Sequence, residues 1–179
     1  GFRALSDDDY ARLSIAQRFA QEPRFDPSGT SWLPAPFWTY GAAFRGFGSD
    51  LAVARTVAIV LSLAATVLVY IAARMLGTTR LAALVGAVFS CVLVPYSTLL
   101  GVAALPEVPC AALLLFSAAT LAVNEPALRA LGGGSLLLAC LSRYEAWPIA
   151  AAYAAFCLWD ALRLRHAAFL ACALLALSG

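Results

Sequence analysis

The segment TVAIVLSLAATVLVYIAA, residues 56–73, contains 18 consecutive residues without a charged side chain. A helix that crosses a lipid bilayer needs about 20 predominantly apolar residues, within a range of about 17–25. A second uncharged run, residues 81–105, has 25 residues, and a third, residues 108–123, has 16. We therefore predict that these three runs are helices that cross a membrane.

Two shorter uncharged runs follow, of 13 residues at 130–142 and 14 residues at 146–159. We interpret them as a hairpin of two short helices, because Pro148 disfavours a helix that continues through Arg143-Tyr144-Glu145. One long helix is the alternative. A further span should start near Ala167. The expected body, residues 51–179, then holds about six membrane helices, the last of them truncated, and we expect the chain to be a piece of a longer protein.

Composition supports a membrane protein. Of the 179 residues, 63% are hydrophobic and 12% are charged, whereas a soluble domain has about 45–50% apolar and about 25% charged residues. The net charge of +2 is too small to indicate nucleic-acid binding. Five cysteines without CxxC spacing and a single histidine exclude a zinc site. The predicted fold class is an all-α, polytopic transmembrane bundle.

Residues 1–50 form a polar head that contrasts with this body, because they carry five arginines and six acidic residues. We expect an extracytoplasmic loop that contains an amphipathic helix from about Asp7 to Ala20, lying flat on the membrane. Ser6 and Asp9 have the spacing of a capping box at the start of that helix.

Arginine placement predicts the orientation, because cytoplasmic loops of membrane proteins are enriched in positive charge. One alternating set of loops contains five arginines and the other contains only Arg143. The five are Arg74, Arg80, Arg129, Arg163 and Arg165. This count assigns the first set to the cytoplasm and the 1–50 head to the opposite face.

This orientation places three groups of ionisable residues on one side of the membrane: Asp7-Asp8-Asp9, Glu107 and Arg143-Tyr144-Glu145. A carboxylate suits a general base toward a hydroxyl, an acid beside a hydrocarbon core is a functional candidate, and a guanidinium binds phosphate through two parallel donors. The structural alternatives are that the aspartates cap a helix, that Glu107 is an interfacial acid, and that Arg143 pairs with Glu145.

The order of several short motifs resembles that of the GT-C membrane glycosyltransferases, in particular the protein O-mannosyltransferase and aminoarabinose-transferase-like group. The resemblance covers roughly Asp7 to Tyr153. The motifs are Asp7-Asp8-Asp9-Tyr10, the loop at 26–34, Pro36-Phe37-Trp38, Phe47-Gly48-Ser49-Asp50, Ala54-Arg55 and Ala73-Arg74-Met75-Leu76-Gly77. Two departures from the family pattern are the third aspartate before Tyr10 and the absence of a charged residue within Leu33-Pro34-Ala35-Pro36.

The resemblance implies an inverting enzyme that transfers a sugar from a polyprenyl-phosphate donor to a hydroxyl of a lipid, glycan or protein. Its active site would face away from the cytoplasm, in a bacterial inner membrane, without a metal cofactor. The implied catalytic residues are Asp8 or Asp7, as the base, and Glu107. The expected substrate-binding residues are Asp9, Tyr10, Arg143, Tyr144, Glu145 and Trp32.

Two other functions fit the same sequence. A transporter or channel subunit would use Glu107 and Arg143 along an ion pathway within the membrane, and the aspartates of the head would be dispensable. A non-catalytic membrane assembly protein would keep the fold without the chemistry.

Overall fold

The computed structural model describes residues 7–92, 103–123 and 125–164, and within these ranges the chain is all-α, without β-strands. Seven helices are present there. They are α1 (Asp7–Gln21), α2 (Ala35–Phe47), α3 (Leu51–Met75), α4 (Arg80–Val92), α5 (Glu107–Thr120), α6 (Pro126–Cys140) and α7 (Ala146–Leu164). The predicted helix near Asp7 to Ala20 is therefore present as α1, whereas Ser6 of the expected capping box lies outside the described residues.

Helix α3 contains the apolar run at 56–73 and has well-defined ends. The Asp50 carboxylate accepts a hydrogen bond of 2.9 Å from the Val53 amide, which caps the first turn. After the last turn the backbone reverses at Gly77, whose φ of 83° favours glycine. Of the helices in the described ranges, α3 is the one that is long and apolar enough to cross a membrane; four shorter helices are also apolar.

The run at 81–105 was predicted as one helix, and this prediction is wrong at its C-terminal end. Helix α4 covers Arg80–Val92, but residues 103–106 are not helical and α5 starts at Glu107. Pro106 lies directly before α5, where a proline is compatible with a helix start but not with a helix interior. Residues 93–102, and the span predicted near Ala167, lie outside the described residues.

The predicted hairpin of short helices is confirmed, since α6 ends at Cys140 and α7 begins at Ala146. Pro148 does not break a helix here. It lies in the first turn of α7, where its missing N–H has no intrahelical partner to lose. The hairpin packs through Leu136, Tyr153 and Cys157, which are almost completely buried.

Small side chains form the packed face of α3. Ala54, Ala58, Ala65 and Ala72 are buried, and alanine lets neighbouring helices approach closely. Five large apolar side chains of the same helix are exposed on its other side. These exposed residues are Ile59, Val60, Leu63, Val67 and Ile71.

A buried polar cluster joins α6 and α7 at the end of the bundle opposite the 141–145 turn. Arg129 forms an ion pair with Asp160 and lies over the ring of Phe156. The Tyr153 hydroxyl donates to the Arg129 carbonyl oxygen over 2.8 Å and lies 3.0 Å from the Thr120 hydroxyl. Arg129, which the orientation count treated as a loop charge, is therefore an interior residue.

Gly132 is predicted to be essential for the contact of α6 with this cluster. A Cβ added there would overlap the Thr120 hydroxyl and lie 2.6 Å from the Tyr153 oxygen. We expect Gly132→Ala to lower the melting temperature of the purified protein, because Thr120 and Tyr153 must move apart.

Gly134 provides the matched control two residues later in α6, because a Cβ there meets no atom within 4 Å. Gly134→Ala should leave the melting temperature unchanged or raise it, since alanine stabilises a helix interior by roughly 0.5–1 kcal/mol relative to glycine. Equal destabilisation by the two substitutions would contradict this packing.

Candidate functional site

A polar cavity of about 280 Å³ lies between α1, the loop before α2, the start of α5 and the turn between α6 and α7. Its walls are formed by Asp8, Arg12, Ser31, Trp32, Leu33, Glu107, Ser142, Arg143, Tyr144 and Glu145. Six residues singled out from the sequence thus line one cavity: Asp8, Trp32, Glu107, Arg143, Tyr144 and Glu145.

The three neighbouring aspartates have three different environments. Asp8 lines the cavity, whereas Asp7 is exposed and does not. Asp9 is completely buried. Tyr10 is exposed and also lies outside the cavity wall. Since successive residues of an α-helix point in directions about 100° apart, one helix separates these adjacent side chains.

The Asp9 carboxylate joins α1 to two other parts of the chain. Its Oδ1 accepts hydrogen bonds from Arg55 Nη1 at 3.0 Å and from the Ala104 amide at 2.8 Å. Its Oδ2 accepts from Arg55 Nη2 at 2.6 Å. The bidentate pair with Arg55 connects α1 to the N-terminal part of α3, and the Ala104 bond connects α1 to the segment before α5. Asp9, which was predicted to bind substrate, thus lies inside the protein and away from the cavity.

Helix α1 places Asp8 and Arg12 on the cavity. The two residues are four apart, so their side chains lie on the same face of the helix. The adjoining face contains Leu13 and Ala16, which are buried in a cluster with Tyr40 and Phe44 of α2. Packing of this apolar face against α2 therefore directs Asp8 and Arg12 toward the cavity.

Arg143 is held by two carboxylates from different segments. Its Nη1 donates to Glu107 at the start of α5, and its Nε and Nη2 donate to Glu145 over 3.1 and 2.6 Å. The hydrogen bond from Arg143 lowers the pKa of Glu145 to about 2. The same bond raises the pKa of Arg143 above its usual value. The alternative in which Arg143 pairs with Glu145 is confirmed, and Glu107 is a further partner.

Two polar atoms near this group are buried without a hydrogen-bond partner in the described part of the chain. They are Glu107 Oε2 and Arg12 Nε. Buried polar groups are normally paired, so each such atom calls for an explanation. Here both belong to residues that line the cavity, where a ligand that carries donors and acceptors would contact these side chains.

The loop before α2 is attached to the turn between α6 and α7. The Tyr144 hydroxyl donates to the Ser31 carbonyl oxygen at 2.5 Å, and the Ala35 amide donates to the Leu141 carbonyl oxygen at 3.0 Å. Trp32 of this loop lies against Arg12, whose Cζ is 4.5 Å from the indole centroid. These contacts hold the two walls of the cavity together.

An apolar cavity of about 230 Å³ adjoins the polar one. Ser142 lines both cavities, and Pro106 of the apolar wall precedes Glu107 in the chain. The other lining residues come mainly from α2, α3, α5 and α6 and are mostly apolar. A molecule with a polar head and an apolar chain would match this pair of cavities.

Within the described ranges, no group of three or more histidine, cysteine, aspartate or glutamate side chains is arranged to hold a metal ion. No known family model, curated protein or solved structure matches this chain.

Arg12 is the charged cavity residue that the sequence analysis missed. The available signal was its spacing of four residues from Asp8 within one predicted helix. That spacing alone describes an ordinary surface pair. The cavity role depends on Trp32 and Glu107, which are distant in the sequence.

We predict that Asp9→Ala destabilises the protein by about 3–5 kcal/mol, because it leaves the Arg55 guanidinium and the Ala104 amide without their partner. Thermal unfolding in detergent measures this change. Asp7→Ala is the matched control and should have little effect, since Asp7 is exposed.

The double variant Asp9→Leu/Arg55→Leu should be more stable than Asp9→Ala, because it removes both charges of a buried pair. Equal stability of Asp9→Ala and Asp7→Ala would contradict a structural role for Asp9.

A second prediction concerns pH. The pKa of Glu145 falls from 4.5 to about 2 in the folded protein, so its pairing contributes stability above pH 4.5 that is lost as pH falls through about 2. The difference in melting temperature between the protein and Glu145→Gln should therefore be largest above pH 4.5 and shrink toward pH 2. A difference that stays constant over this range would contradict the pairing.

Proposed function

We propose that this chain is part of a multi-pass membrane glycosyltransferase that moves a sugar from a polyprenyl-phosphate donor to an acceptor hydroxyl, with inversion. The polar cavity is the proposed active site, on the extracytoplasmic face of a bacterial inner membrane. The observation that carries the proposal is the presence of Asp8 and Glu107 in the wall of one cavity, although 98 residues separate them in the sequence.

Insertion of the chain in a membrane is supported by the surface of the helices. Only 17% of the most apolar window of α3 is buried, and five of its large apolar side chains are exposed while the residues that it buries are alanines. Helices α4 and α7 also expose bulky apolar residues, among them Leu81, Phe89, Phe156 and Trp159. In a bilayer, such large side chains can face the lipid tails, while small residues form the contacts between helices.

A lipid-linked donor is supported by the two adjoining cavities. The polar cavity offers carboxylates and guanidinium groups to a sugar and a phosphate, and the apolar cavity offers space to the first isoprene units of a lipid chain. Ser142 lies where the two cavities meet, which is the expected position of the junction between phosphate and lipid.

In the proposed reaction, the acceptor oxygen attacks the anomeric carbon from the face opposite the phosphate. The Asp8 carboxylate removes the proton of the acceptor hydroxyl. The bond between the anomeric carbon and the phosphate oxygen breaks, its electron pair stays on that oxygen, and a polyprenyl phosphate leaves. Glu107, whose Oε2 is without a partner in the described residues, orients the acceptor hydroxyl.

Among the three aspartates, only Asp8 lines the cavity, so the proposal assigns the base to Asp8. We predict that Asp8→Asn in the full-length protein reduces sugar transfer by about 10²- to 10⁴-fold, the usual contribution of a general base. Transfer is measured in membranes supplied with a panel of radiolabelled polyprenyl-phosphate hexoses and pentoses.

Asp7→Asn is the control and should retain activity, because Asp7 is exposed outside the cavity. Full activity of Asp8→Asn would refute the assignment of the base. If Asp8→Asn is fully active and Glu107→Gln loses ion or solute flux, the transporter alternative is favoured, because it makes the aspartates of the head dispensable.

A further inference from the structure

We propose that Arg12 binds the phosphate group in the polar cavity, in place of Arg143, which the sequence favoured for this role. The choice of a phosphate as the anion rests on the proposed function. The assignment to Arg12 rests on how the arginines of the chain are paired.

Four arginines in the described ranges are at least partly buried. Three of them form ion pairs with carboxylates: Arg55 with Asp9, Arg129 with Asp160, and Arg143 with Glu107 and Glu145. Arg12 is the fourth, and within the described residues no carboxylate lies within ion-pair distance of it. Of the two arginines that line the polar cavity, Arg12 is therefore the one whose charge is not paired with a carboxylate.

The position of Arg12 is set by an aromatic contact instead of an ion pair. Its guanidinium carbon lies 4.5 Å from the centre of the Trp32 ring, and Trp32 in turn stacks on Phe37, with ring centres 6.2 Å apart. Stacking on an aromatic face leaves the N–H groups at the edge of a guanidinium available for hydrogen bonds. Trp32 was predicted to contact the substrate directly. In this proposal it instead positions Arg12, which binds the phosphate.

The charge of the Arg12 guanidinium is only partly compensated by its surroundings. Burial lowers the pKa of Arg12 from its usual value, while Glu107 and Asp8 oppose this effect from a distance. The charged form is therefore incompletely solvated, and a bound anion would restore the lost interactions. Arg143 differs, since Glu107 and Glu145 already balance its charge and accept hydrogen bonds from its Nη1, Nη2 and Nε.

The role of Arg12 in the transfer step follows from the charge balance. When the anomeric carbon–oxygen bond breaks, the phosphate gains one negative charge. Arg12 stays protonated and donates hydrogen bonds to that phosphate, while the acceptor proton resides on Asp8. Asp8 and Arg12 lie one turn apart on α1, so this single helix would supply both the base and the phosphate ligand.

Binding of farnesyl phosphate and of farnesol to the purified full-length protein tests the inference, with ligand-induced thermal shifts as the readout. We expect the protein to bind farnesyl phosphate more tightly than farnesol. Arg12→Gln should weaken farnesyl phosphate binding by about 10- to 100-fold, as for loss of a charge-assisted hydrogen bond, without changing farnesol binding. Arg12→Lys, which keeps the charge but not the paired donors, should bind with intermediate affinity.

Arg18→Gln is the matched control, because Arg18 is an exposed arginine of the same helix outside the polar cavity, and it should bind both probes as the unaltered protein does. The inference is overturned if Arg12→Gln retains the preference for the phosphate, if Arg143→Gln alone loses it, or if the unaltered protein shows no preference. Loss of the preference in Arg12→Gln, combined with absence of sugar transfer by the unaltered protein, would uphold the anion site and reject the glycosyltransferase.

Discussion

The bidentate contact between Asp9 and Arg55 is the interaction on which the candidate site depends. Both charges are largely removed from solvent, and a buried carboxylate is strongly unfavourable unless its oxygens are paired. The Asp9 carboxylate can accept hydrogen bonds from Arg55 and the Ala104 amide in only one orientation of α1 about its own axis. That orientation simultaneously buries Leu13 and Ala16 and places the side chain of Asp8 at the cavity.

The charged residues of the polar cavity fall into two groups, those that form ion pairs within the described part of the chain and those that do not. Arg143 is neutralised by Glu107 and Glu145, and this cluster connects the start of α5 to the turn before α7. Asp8 and Arg12 remain without an ion-pair partner among the described residues. A paired cluster beside one unpaired carboxylate and one unpaired guanidinium suits a reaction that needs a proton acceptor and a phosphate ligand at defined positions.

The packing of the helices is consistent with the same proposal. In a water-soluble bundle, large apolar side chains are buried, because their removal from water drives folding. Here α3 packs through alanines and exposes isoleucine, valine and leucine. In a bilayer, hydrocarbon surrounds these large side chains, and close backbone approach between helices provides the dispersion contacts that hold them together.

Local patterns in the sequence were enough to predict the helical class and three of its elements. Apolar run length predicted α3, the position of Pro148 predicted the short hairpin, and the acidic residues at a helix start predicted α1. Each of these patterns acts over a few residues. The same patterns misplaced the end of the run at 81–105, where the chain leaves the helix before Pro106. Only the tertiary structure distinguished Asp8 from Asp9 and brought Arg12 beside Trp32 and Glu107. These outcomes depend on which face of α1 packs inward, and that choice is made by Arg55, Ala104 and Tyr40, which are far from α1 in the sequence.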